Sequence, residues 1–105
     1  MDNAAGRRIL VEIDQELMPV VPEYLEKRLQ DCTEIERRLR ASGCMEYIQI
    51  MGHRMKGSGG SFGFDEISAI GEDLESAAHA TDAEAVRAAV GRLERYLKQV
   101  SVAYI

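Results

Sequence analysis

Apolar residues recur along this chain in four helical stretches separated by short polar breaks. In the first, Val21, Leu25, Leu29, Cys32, Ile35 or Glu36, and Leu39 follow the three-and-four spacing of one helix face. Pro19 and Pro22 mark its start, because the first turn tolerates a residue without an N–H. Arg37, Arg38 and Arg40 load its last turn, which suits the negative end of the helix dipole. Ala41-Ser42-Gly43 is its stop, with Gly43 at the C′ position. A second helix is predicted from about Cys44 to Gly60. Ile48, Met51, Gly52, Met55 and Gly59 line one of its faces, and Gln49, His53, Lys56, Gly57 and Gly60 another. A third runs from Phe64 or Asp65 to Ala80 on a stripe of Ile67, Ile70, Gly71, Leu74 and Ala78. The fourth runs from about Ala83 to Val100 on Val86, Val90, Leu93, Leu97 and Val100, widened by Ala89 and Tyr96. Thr81 or Asp82 is its N-cap, and Thr81 followed by Glu84 matches a capping box. Ahead of the helices, residues 7–18 form an amphipathic lead-in, either a strand-like arm or a helical turn. Its Ile9, Leu10, Ile13 and Leu17 are expected to cover one end of the core.

Four amphipathic helices on short loops predict an all-α, antiparallel four-helix bundle with a short N-terminal lead-in. The expected division is a lead-in over residues 1–18, packed on a single bundle domain over 19–105. A length of 105 residues and 46% apolar content fit one domain with a modest core. The net charge of −5, with no basic tract, argues against nucleic acid as a partner. No apolar run is long enough to span a bilayer, and residues 1–8 lack the apolar core of a secretory signal. The expected setting is the cytosol, and the expected state a monomer. Cys32 and Cys44 form no metal or redox motif and read as free thiols.

The chemistry concentrates around His53, in the run Gly52-His53-Arg54-Met55-Lys56-Gly57-Ser58-Gly59-Gly60-Ser61-Phe62-Gly63-Phe64. Residues three and four apart on a helix are surface neighbours, so Lys56 and Gly57 flank the imidazole with a charge and an open space. A phosphoryl-accepting histidine needs an exposed ring with one nitrogen free to attack. It also needs a partner for the other nitrogen, a nearby cation and bare backbone. Four glycines between residues 57 and 63 each cost helix stability and require a reason. The end of the helix accounts for Gly60 and Gly63, and close approach by a partner accounts for Gly57. Ser58 to Ser61 imitate a phosphate loop in composition only, since the lysine precedes the glycines and follows no strand. His79, one turn after Glu75, reads as a surface histidine. The E-x-x-H spacing of metal-binding bundles is absent around Glu72, Glu75 and the two histidines.

The stretch His53-Arg54-Met55-Lys56-Gly57-Ser58 resembles the H-x-L-K-G-S signature of histidine phosphotransfer (HPt) domains, with Met55 in place of the usual leucine. Gly63 and Leu74-Glu75 continue the pattern. The resemblance implies that His53 is phosphorylated on Nε2, that Lys56 steadies the phosphoryl group, and that Gly57 leaves room for a partner. It also implies that Glu75 accepts a hydrogen bond from Nδ1. The expected partner is a response-regulator receiver domain or a histidine kinase, docking around Gly52, Arg54, Gly57 and Gly60. No cofactor is expected on the chain itself, because the receiver would carry the magnesium ion. The module is expected to have no catalytic activity of its own. Two other readings stay open: a non-phosphorylated adaptor that binds a receiver, and the phosphoacceptor domain of a chemotaxis-type kinase, which Phe62-Gly63-Phe64 also resembles.

Overall fold

A computed structural model describes residues 7–41 and 45–105. The elements run β1 (Ile9–Ile13), a 3-10 turn (Gln15–Leu17), α1 (Val21–Ala41), α2 (Met45–Ser61), α3 (Asp65–His79), α4 (Ala83–Gln99) and β2 (Val100–Tyr104). Connections as short as residues 62–64 and 80–82 send each helix back along its predecessor. The helices close a ring, α1 on α2, α2 on α3, α3 on α4 and α4 on α1. None of the described helices is long and apolar enough to cross a membrane.

The predicted stripes form the core. Val21, Cys32, Ile35, Leu39, Ile48, Met55, Ile67, Ile70, Leu74, Val86, Val90 and Leu93 are buried. At the undecided position of α1, Ile35 faces in and Glu36 does not. Leu29 departs from the expectation and is 44% exposed. Tyr24 fills the start of the α1 stripe instead, stacked on Phe62 at a centroid distance of 4.3 Å. The predicted stop at Gly43 and the helix start at Cys44 lie outside the described residues.

The second helix ends in a Schellman pattern. Phe64 N–H donates to the Gly59 carbonyl at 2.7 Å, Gly63 N–H donates to Gly60 at 3.1 Å, and Gly63 has φ +92. That left-handed position favours glycine. The same pattern closes α3, with Thr81 at φ 56. Thr81 therefore ends a helix rather than starting one. Asp82 alone is the N-cap of α4, accepting from Ala85 N–H at 3.0 Å, so the predicted capping box does not form.

The lead-in is a strand, and its partner is unanticipated. β1 pairs in parallel with β2, with Ile9 opposite Val100 and Ile13 opposite Tyr104. Val100 is thus the first strand residue and not the last of the helical stripe. In a strand alternate side chains share a face. Ile9, Val11 and Ile13 turn inward, whereas Leu10, expected in the core, is 66% exposed.

Candidate functional site

The site is built where α2 and α3 cross at backbone contact. A Cβ at Gly52 would lie 2.6 Å from Glu75 N and 2.9 Å from the Gly71 carbonyl. A Cβ at Gly71 would collide with Lys56 N. At Gly59 it would meet Ser68 N at 2.5 Å. Only glycine permits this approach, which brings a short α3 side chain within reach of α2. Ser68 adds a polar stitch: its hydroxyl accepts from Gly60 N–H at 2.7 Å and donates to the Lys56 carbonyl at 2.6 Å. On the α1 side, the Tyr24 and Ser58 hydroxyls lie 2.7 Å apart.

His53 projects from α2 with 71% of its side chain exposed, and its Nδ1 lies 3.0 Å from Oε2 of Glu75 on α3. An ionised carboxylate can only accept, so Nδ1 carries the proton and donates. In the neutral ring this leaves Nε2 with its lone pair directed to solvent. Lys56 follows one turn later, with Nζ 3.9 Å from the other Glu75 oxygen, Oε1. Beyond it, a Cβ at Gly57 would meet nothing within 4 Å. The backbone there is bare on the His53 side of the helix.

The remaining sequence-predicted residues separate. Arg54 is exposed, and among the described residues it makes no salt bridge. Gly60 is exposed but serves the helix end, bonded to Ser68. Gly52, expected at the docking rim, is buried against Gly71 and Glu75, so its part is to let the two helices touch. His79 lies outside this cluster, at the outer edge of hydrogen-bond distance from Gln49, 3.5 Å.

Two features were missed. A shallow groove of about 360 Å³ runs from His53 between Glu46, Gln49, Ile50, Arg54 and Glu75. Ile50 is 45% exposed within it, and its only sequence signal is an isoleucine off the core stripe. Ser68 belongs to no motif, and nothing in the sequence marks it.

A family model described as Hpt domain matches residues 19–103. No curated protein and no solved structure matches the chain.

Proposed function

The chain belongs to the Hpt domain family, the phosphocarrier modules of two-component phosphorelays, and on that premise we propose that His53 is its phosphoacceptor. The observation that carries the proposal is the exposed imidazole with Nδ1 on the Glu75 carboxylate at 3.0 Å. That hydrogen bond fixes the tautomer and aims the ring, as an orienting carboxylate does for any nucleophilic or basic histidine.

Transfer then follows from the geometry. A receiver domain docks on the α2 face around Gly57 and Arg54, with Ile50 in the adjoining groove. Nε2 attacks the phosphorus of the receiver's aspartyl phosphate. The N–P bond forms as the O–P bond breaks, and the aspartate departs as a carboxylate. The Nδ1 proton stays in its bond to Glu75, which offsets the positive charge that builds on the ring. The metal ion and most of the transition-state stabilisation come with the receiver. The reverse reaction uses the same contacts, so phosphoryl potential sets the direction.

Incubation with phosphorylated receiver domains tests this. Wild type is expected to take up an acid-labile, alkali-stable label, and His53→Gln none. Glu75→Ala is expected to slow transfer while retaining it, because Glu75 orients and does not bond to phosphorus. Label persisting in His53→Gln would place the phosphoryl group elsewhere and sink the proposal. A wild type that binds receivers yet never takes label would favour a docking adaptor.

A further inference from the structure

We propose that two copies of this chain pair through the open edge of β1, antiparallel about a two-fold axis at Leu10, and join their two-stranded sheets into one of four strands. β1 has β2 on one side only, so its other edge carries no strand. Ile105 N–H donates to the Ile13 carbonyl at 2.9 Å, and Gln15 N–H donates to the Ile105 carbonyl at 3.1 Å. Successive residues of a strand direct their N–H and C=O to opposite edges. Ile9, Val11 and Ile13 therefore bond β2, and the main-chain groups of Arg8, Leu10 and Glu12 point to the open edge. These groups find no partner among the described residues. The strand also lacks the proline or lysine that commonly blunts such an edge.

The occupant is read from charge. The exposed face of this segment is Arg8, Leu10 and Glu12, and a two-fold interface must be complementary to itself. With Leu10 opposite Leu10 of the second copy, antiparallel pairing puts each Arg8 opposite a Glu12. The residues brought together are those whose main-chain groups face the open edge, so each pair exchanges both of its N–H···O bonds. Leu10, 66% exposed in the protomer, closes on its counterpart. Other registers lose this match. Centring on Arg8 or Glu12 sets like charges face to face, which is destabilising, and the registers between set Leu10 against a charge. The pairing also spares the site, because no residue of β1 lines the groove at His53. The sequence predicts a monomer; the edge exists only once β1 and β2 have paired, and it argues for a weak dimer.

Sedimentation equilibrium of the whole chain tests this, at concentrations rising to about 1 mM. The average mass should climb from the 11.7 kDa of the protomer towards twice that value. Arg8 and Glu12 are exposed, so their substitution leaves the core intact. Arg8→Glu or Glu12→Arg alone should weaken self-association by about tenfold or more, because like charges then stand opposite at two symmetric positions. An equimolar mixture of the two variants should recover it, since one then carries two acids on the strand and the other two bases. In a Cys44→Ser background, Leu10→Cys should cross-link to its counterpart on oxidation, with Cα atoms about 5.5 Å apart. Glu12→Cys should not, because its two copies lie roughly 14 Å apart in this register. A chain that stays monomeric at about 1 mM overturns the proposal. So does a dimer that the mixture fails to recover, or that Glu12→Cys locks as well as Leu10→Cys does, because it then forms through another surface.

Discussion

A Cβ at Gly57 would meet no atom outside its own stretch of helix within 4 Å, so a substitution there is felt through helix propensity and by a docking partner. Gly57→Leu should raise stability by about 0.5–1 kcal/mol, since glycine is the poorest non-proline helix former. It should also cut transfer from a receiver at least about tenfold, because a buried clash at the docking surface costs more than the roughly 1.4 kcal/mol that a decade requires. A thermal melt beside a transfer assay checks both, and a lower melting temperature would mean that the glycine serves the fold. His53, Lys56 and Gly57 are legible in sequence because helical spacing alone settles which residues share a face. Glu75 is legible only through family resemblance. It lies 22 residues from His53 on another helix, and no local pattern joins the two. Ile50 and Ser68 are illegible for a related reason: their meaning depends on where α3 crosses α2.

That crossing is the element on which the site depends. Gly52, Gly59 and Gly71 let two helix backbones touch, and Glu75 reaches the imidazole from the far side of the contact. Gly71→Ala drives a Cβ into the Lys56 amide and, at 2.8 Å, the Gly52 carbonyl, so the helices must part. The expected cost is about 1–3 kcal/mol, as for other overpacked sites. Transfer should fall as well, with His53 losing its single tautomer in the ring nitrogen spectrum. An alanine variant as stable as wild type would show that the crossing relaxes freely. Periodicity placed these glycines on the buried faces but not the closeness they allow, because an apolar stripe reports which side is covered and not how near the cover lies. Strand β2 escaped for the opposite reason. Val100 continues the spacing of α4, and only Val102 and Tyr104 betray the change to a period of two. Five residues are too few for that alternation to stand out without the partner strand.

Across the whole molecule, the ring of helices is bound by a two-stranded parallel sheet that brings the first and last described elements together. Ile13 carries that sheet onto the site hairpin: its side chain covers Gly63, at the turn between α2 and α3. Two acids are enclosed by this assembly, and they predict how it fails in alkali. Burial, with Glu94 and Asp31 nearby, pushes the Cys32 thiol from 9.0 up to about 12. Burial, with Glu66 and Asp65 nearby, pushes the Tyr96 hydroxyl from 10.0 to about 12. Each group keeps its proton in the folded protein and sheds it in the unfolded chain. Their contribution is fully present below the unfolded values and is lost as pH rises towards the folded ones. Stability should hold level with respect to these groups below pH ~8.5. It should then fall by about 1.4 kcal/mol per pH unit once the thiol ionises in the unfolded chain, and by about twice that once the tyrosine follows. Urea midpoints between pH 7 and 11, measured in a Cys44→Ser background, would show the onset near 9. Cys32→Ala should lower the plateau through its small cavity, and should move the onset to near 10, where Tyr96 acts alone. An onset that stays near 9 without the Cys32 thiol would mean that some other group titrates there, and that Cys32 is not held as its buried position requires.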